Sequence, residues 1–261
     1  MTAKVIAVAN QKGGVGKTTT AVTLASGLAF SKYKTLIIDL DVQGHVAKAF
    51  NLNKGNGLYH WIVKSEPLEN IIVSPQPDLD ILTGGKETLD VVQFIEKISF
   101  QRERYLRDKF AELQYDVIIM DAAPNFSMLQ INAFTASDIV IIPTKLSTFD
   151  SDGLSETIKT LTEVAKAGYS LQRFGILATF FDRTTQETRT QFTQLVEKYG
   201  DKVWPPIPQD TNVRVAQAYA KTLWEFCPKS PAVIGFQDIE SNARYGGYAD
   251  LLKRIVGYVR E

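Results

Sequence analysis

Apolar and polar positions along the 261-residue chain alternate between two periods. Short runs with almost no polar interruption recur at Val5–Ala9, Thr35–Ile38, Leu79–Leu82, Asp116–Met120, Ile139–Ile142 and Phe174–Thr179. Runs of this kind fit strands buried on both faces, as in a parallel sheet. Between them, apolar residues return every three or four positions, the spacing of a helix with one buried stripe. Thr18–Phe30 places Ala21, Leu24, Ala25 and Leu28 on such a stripe, and Thr88–Phe110, Leu154–Ala167 and Thr188–Tyr199 follow. A last stripe runs through Tyr248, Leu251, Leu252, Ile255, Val256 and Val259. Strands alternating with helices predict an α/β fold, a doubly wound, mostly parallel sheet with helices on both faces. No repeat, low-complexity tract or Ser/Gly linker interrupts the pattern, so a single domain over residues 1–261 is expected. Ligands of such sheets sit at the carboxyl ends of the strands, and the chemistry is to be sought there.

Composition narrows the function classes. Basic and acidic residues balance at 29 each, so contact with nucleic acid requires a local patch rather than bulk charge. Arg173–Glu261 carries 12 basic against 10 acidic residues, too small a surplus to supply one. The lone Cys227 excludes an intramolecular disulfide and a multi-cysteine zinc site, as expected of a reduced, cytoplasmic protein. The longest apolar runs span five or six residues, far short of the roughly 20 needed to cross a bilayer. The first run gives way to polar Asn10-Gln11-Lys12, which does not read as a signal peptide.

The first strand runs into Gln11-Lys12-Gly13-Gly14-Val15-Gly16-Lys17-Thr18-Thr19-Thr20, followed by a helix. Glycines let backbone N–H groups turn inward around phosphate oxygens, and the helix N-terminus adds partial positive charge. In this pattern Gly13, Gly14, Val15, Gly16, Lys17, Thr18 and Thr19 cradle a nucleotide. Lys17 bridges its β- and γ-phosphates, and the Thr18 hydroxyl completes a Mg²⁺ shell. Lys12 adds a second lysine, either a solvated loop residue or one that reaches a nucleotide on a facing subunit. The second strand delivers Asp39 and Asp41, two carboxylates on one side of a strand end that repel unless a cation lies near. Asp116–Asp121 is an apolar strand closed by one acid, which suits Asp121 either to a Mg²⁺ shell or to capping a helix.

Lys12–Thr19, KGGVGKTT, resembles the deviant Walker A motif of the ParA/MinD ATPases. Asp39-Leu40-Asp41-Val42-Gln43-Gly44 looks like the D-x-D-P-Q-G switch of that family, with Val42 where proline is usual. Asp121-Ala122-Ala123-Pro124 is similar to its Walker B ending, and Pro143–Lys145, Thr179–Arg183 and Pro205–Thr211 to its later loops. The likeness runs from Lys4 to about Ala220 and resumes in the final helix, while Cys227–Gly247 departs from it.

The resemblance implies a set of roles. Lys12 crosses a dimer interface and acts with Lys17 in catalysis, Asp41 positions the attacking water, and Asp39 supports the metal shell beside Thr18 and Asp121. The loop carrying Pro208 and Asp210 packs on adenine, unless it is only a rigid connector. The implied protein is an ATP- and Mg²⁺-dependent hydrolase of the short ParA type, without an N-terminal DNA-binding domain. It forms a homodimer with ATP, binds nucleoid DNA non-specifically, answers a ParB-like or adaptor partner, and positions a plasmid, a chromosome origin or a body such as a carboxysome. The expected DNA contacts are Arg183, Arg189, Arg214, Lys221, Lys253 and Arg254. Two rivals stand beside this reading: a MinD-like protein whose basic last helix binds membrane, and a metabolic ATP-dependent synthetase. The last helix is expected to dock on the sheet rather than on lipid. His45, His60 and Cys227 show no ligand-spaced partners, Phe174, Phe180 and Phe181 read as core, and Arg102–Lys109 as a solvated helix face.

Overall fold

The computed structural model has the strands β1 (Lys4–Val8), β2 (Thr35–Asp39), β3 (Val73–Gln76), β4 (Leu79–Leu82), β5 (Val117–Asp121), β6 (Ile139–Lys145), β7 (Arg173–Thr179) and β8 (Val203–Trp204); the six apolar runs form all but β3 and β8, which the pattern did not predict. The structure describes residues 3–53, 55–125, 127–146, 151–169, 173–237 and 244–261, with the backbone alone at 151 and 152. The strands join one sheet in the order β3-β4-β2-β5-β1-β6-β7-β8. Neighbours pair in parallel except β3 and β4, which are antiparallel.

Alternation along each strand sorts the core into two layers. Val5, Ala7, Leu36, Ile38, Ile118, Met120 and Ile142 face helices Gly57–Ile62, Thr88–Glu96, Tyr105–Phe110, Met128–Ala136 and Ser151–Lys166. Ile6, Val8, Ile37, Ile119, Ile141 and Leu177 face helices Lys17–Phe30, Thr211–Ala218, Leu223–Phe226, Pro231–Ile234 and Gly247–Arg260. The sheet is covered on both sides, which is why its strands lack polar alternation. Tyr248, Leu251 and Ile255 of the last helix are buried in the second layer, so its apolar stripe docks on the sheet as expected. Among the described residues, no helix is long and apolar enough to cross a membrane.

Where the elements differ from the sequence pattern, tertiary ties explain it. The expected helix Thr88–Phe110 is two helices, Thr88–Glu96 and Tyr105–Phe110, parted at Gln101 with φ +55°. Asn132 holds the break: its Oδ1 accepts from Leu106 N at 3.0 Å, and its Nδ2 donates to Arg102 O at 2.8 Å. Arg102–Arg104 is accordingly a separate short turn, though Arg104 and Asp108 do pair at 3.3 Å on the helix surface. Helix Met128–Ala136 escaped the pattern because it is buried nearly all round and shows no polar face. Within Cys227–Gly247 lie helix Pro231–Ile234 and a small hairpin, β9 (Phe236–Gln237) with β10 (Arg244–Tyr245). Residues 238–243 of that stretch lie outside the described residues.

Candidate active site

Strand register alone brings the predicted groups to one rim. Asp39, last in β2, pairs with Asp121, last in β5, and Val8, last in β1, pairs with the same Asp121. From β1 the chain turns through Gly13–Gly16 into helix Lys17–Phe30. Gly14 and Gly16 take φ of +73° and +89°, the left-handed region that side chains resist. A Cβ on Gly13 or Gly14 would meet nothing within 4 Å, so both glycines border open space. Among the described residues no side chain caps the helix, and the first amides of a helix have no intrahelical acceptors.

Side chains from three other segments brace this loop. Buried Asn10 donates Nδ2 to Pro143 O at 2.8 Å and accepts from Lys12 N at 2.9 Å. Thr179 Oγ1 donates to Val15 O at 2.9 Å, and Thr157 Oγ1 accepts from Gln11 N at 3.3 Å. Motif reading gave Thr179 a place in the Thr179–Arg183 loop but no role, and it missed Asn10 and Thr157. Asn10 left a signal, as a polar residue closing an apolar run where a buried amide must find partners.

Lys17 Nζ donates to the Lys12 carbonyl at 2.8 Å. Burial pushes the ammonium below its usual pKa, against the pull of Asp121 and Asp41. Thr18 Oγ1 donates to Asp121 Oδ2 at 2.6 Å, while Asp121 Oδ1 is buried with no hydrogen-bond partner among the described residues. Burial first, and Asp39 second, raise the Asp121 carboxyl well above the usual carboxylate range, while Thr18 and Lys17 oppose them. An orphaned carboxylate oxygen among like charges is relieved by a cation. Among the described residues, no three His, Cys, Asp or Glu side chains form a metal cage. The arrangement therefore fits an ion that takes Thr18 and Asp121 from the protein and its other ligands from phosphate and water, as Mg²⁺ does.

Asp39, expected to support the metal shell, is tied to its own loop. Its Oδ1 accepts from Asp41 N and its Oδ2 from Val46 N, both at 3.0 Å. The carboxylate thus shapes the loop that carries Asp41, whose Oδ1 accepts from Gln43 N at 2.9 Å. Below that loop, a Cβ on Gly84 would lie 2.4 Å from Asp39 O and 2.9 Å from Asp41 O, so the returning chain touches it backbone to backbone.

Two adjoining cavities open on this rim. The larger, of about 530 Å³, is lined by Gly13, Gly14, Lys17, Thr18, Asp41 and Lys221 among others. The smaller, of about 260 Å³, holds Ile207, Pro208, Asp210, Arg214 and Tyr248. Gly16, Thr19, Phe180 and Val213 border both. Pro208 thus lines the smaller cavity. Asp210 lines the cavity, but its Oδ1 accepts from Asn212 N at 2.9 Å and its Oδ2 from Ala232 N at 3.1 Å. It caps helix Thr211–Ala218 and fastens Pro231–Ile234 to it. Gln217 of the same helix donates to Thr19 Oγ1 at 2.8 Å.

The six basic residues expected on DNA fall in three places. Arg214 and Lys221 line the cavities. Arg183 stacks over Phe236 at 5.3 Å, with Arg189 nearby in sequence on helix Gln186–Tyr199. Lys253 and Arg254 lie on the last helix, where Arg254 stands over Trp204 at 5.3 Å. Phe180, read from the sequence as core, is 42% exposed at the junction of the two cavities.

A family described as "AAA domain" matches residues 3–173. The chromosome-partitioning ATPase Soj of Thermus thermophilus is 34% identical over 235 residues, 89% of this chain and 92% of that protein. The sporulation initiation inhibitor protein Soj of Bacillus subtilis is 30% identical over 94% of this chain and 99% of its own. Among solved structures, an ATP complex of a McdA variant from Cyanothece shares the fold, with TM-score 0.82 at 19% identity over 98% of this chain and 97% of that one. Cobyrinic acid a,c-diamide synthase from Mycobacterium smegmatis, bound to an ATP analogue and magnesium, gives TM-score 0.74 at 25% identity over 84% and 93%.

Proposed function

The chain belongs to this AAA domain family and, within it, to the Soj/ParA-type partitioning ATPases; on that premise we propose that it hydrolyses ATP to ADP and phosphate with Mg²⁺ and uses the cycle to position or segregate a cargo. The observation that carries this reading is the convergence of Lys17, Thr18 and the orphaned Asp121 Oδ1 beside an uncapped helix N-terminus and open glycines. Bound Mg²⁺ supplies positive charge to the β- and γ-phosphates. Lys17 exchanges the Lys12 carbonyl for phosphate oxygens, trading a neutral acceptor for charged ones. The first-turn amides and the backbone of Gly13–Gly16 hold the remaining oxygens. Asp41, half-buried on the cavity wall, orients the attacking water, and Asp39 fixes Asp41 through their shared loop.

The finer steps belong to the same proposal. ATP draws two copies together, the Lys12 side chain reaches the partner's nucleotide, and an adaptor protein stimulates hydrolysis. The paired form holds nucleoid DNA without sequence preference, with Lys253 and Arg254 as one set of phosphate contacts and Arg183 and Arg189 as another. Doubling weak contacts in fixed register raises avidity by roughly 100- to 10,000-fold. A second reading, an amide-forming synthetase, has the diamide synthase neighbour behind it. Such an enzyme turns over ATP with a carboxylate substrate and without DNA. The test is binding to random-sequence DNA at matched salt with ATP, ADP and no nucleotide, for the wild type and Asp41→Ala. ATP-gated, salt-sensitive binding that persists in Asp41→Ala supports the partition reading. Equal affinity with ATP and ADP overturns the gating, and rapid turnover with small carboxylates alone selects the synthetase.

A further inference from the structure

We propose that an arginine-lined cavity at the amino ends of β1 and β6, opposite the nucleotide rim, binds a small organic anion: a carboxylate or phosphate on a compact apolar body. The cavity holds about 350 Å³, against about 260 Å³ for the Pro208 slot. It lies between β1, the turn into β6 and helices Tyr105–Phe110 and Met128–Ala136. Val5, Phe110 and Ala136 give it an apolar wall, and Arg104 and Arg107 stand beside them. Apolar walls with a few convergent polar groups are the usual form of a small-molecule site.

The two arginines meet there because of the break in the chain before them. The turn at Gln101, held by Asn132, restarts the helix at Tyr105 and brings Arg104 and Arg107 to one cavity, three residues apart. Arg104 Nη2 donates to Asp108 Oδ1 at 3.3 Å, but its Nε is shut off from water with no hydrogen-bond partner among the described residues. The Arg107 guanidinium has no hydrogen bond or ion pair among the described residues. An unpaired buried N–H is costly, and like charges one helical turn apart repel. The acids of the cavity leave both needs unmet. Asp108 serves the far end of Arg104, and Asp138 Oδ2 accepts from Val5 N at 2.8 Å, tying β1 to the start of β6. The unspent capacity is mostly N–H, up to five on Arg107 and the Nε–H of Arg104, against one oxygen of each acid. Carboxylates and phosphates take such donors in pairs. The apolar remainder of the ligand rests on Phe110 and Val5, with the whole of β1 between it and the glycine loop.

The test is an NMR titration at matched ionic strength with four probes: benzoate, phenyl phosphate, inorganic phosphate and benzyl alcohol. The last two separate the head from the body. Wild type is compared with Arg104→Gln, Arg107→Gln and Lys17→Ala. Benzoate or phenyl phosphate should bind about 10-fold more tightly than benzyl alcohol or inorganic phosphate, and the tighter of the two identifies the head group. Each arginine substitution should weaken that binding about 10-fold, the loss of one charge-assisted hydrogen bond, while Lys17→Ala leaves it within about twofold. Arg107 is exposed, so its replacement keeps the question measurable should Arg104→Gln fold poorly. Binding that survives both arginine substitutions, or that vanishes in Lys17→Ala, places the anion elsewhere. Benzyl alcohol binding as tightly as benzoate leaves an apolar hole without anion recognition, and no saturable binding of either anion at millimolar concentration leaves no site; each overturns the inference.

Discussion

The two cavities on the rim are made in contrasting ways. The glycine-loop end draws much of its wall from one stretch, Gly13–Thr19, with Asp41 and Gln43 from the loop after β2 and Lys221 from beyond helix Thr211–Ala218. The other end takes Phe180 from the exit of β7, Pro208 and Arg214 from a later loop and helix, and Tyr248 from the last helix. One end is held by charge and backbone amides; the other is a slot closed by packing. Failure at the first should be abrupt, because charge-assisted bonds disappear as units, whereas the second should weaken in steps as individual contacts go.

Substitutions that follow this contrast should have effects of graded size. Lys17→Ala should lower ATP affinity about 100-fold or more, as two charge-assisted hydrogen bonds at about 1.5–3 kcal/mol each are lost, which titration calorimetry would measure. A loss under threefold would erase the distinction between the ends. Asp121→Asn should abolish the magnesium dependence of ATP binding and yet raise the melting temperature of the nucleotide-free protein by about 2–4 °C per kcal/mol of repulsion removed. The sign follows from its raised carboxyl pKa: the unfolded chain releases this proton at lower pH than the folded one. The folded wild type is therefore penalised as pH rises, and the stability gap should close towards acid pH. Gly84→Ala should reduce kcat about 10-fold with ATP affinity held within about threefold, since a methyl group 2.4 Å from Asp39 O must displace the loop that carries Asp41. Steady-state kinetics showing KM and kcat moving together would place Gly84 in folding alone. Arg214→Ala should cost about threefold in ATP affinity and nothing in tripolyphosphate affinity. Lys12→Ala should change monomeric ATP affinity least, within about twofold, because Lys17 engages the Lys12 carbonyl and the substitution keeps that atom. Its effect should appear in ATP-dependent dimer formation, followed by size-exclusion chromatography.

The same contrast governs what could be read from the sequence. The six central strands, the glycine loop and the acids closing β2 and β5 were legible because each lies in one continuous stretch with its own period or motif, whereas the short edge strands β3 and β8 were not. Phe180 was not, since the tie from Gln209 to Phe181 that holds its backbone comes from a distant loop. Asp210 was expected on adenine through the resemblance of its loop and Arg214 on DNA through its charge; the structure adds that Asp210 is hydrogen-bonded to Asn212 N and Ala232 N and that both residues line the smaller cavity. The break in Thr88–Phe110 depended on Asn132, whose side chain replaces helical bonds that local periodicity favours. Composition likewise gave no means of sorting the basic residues, since a net balance of charge carries no position.

The outermost strand of the sheet, β3, runs Val73-Ser74-Pro75-Gln76, antiparallel to its neighbour and irregular in register. Proline offers no N–H, and at the opposite margin β8 is only two residues long. Among the described residues neither margin presents a long, regular strand edge, which disfavours lengthening of the sheet strand upon strand by another copy.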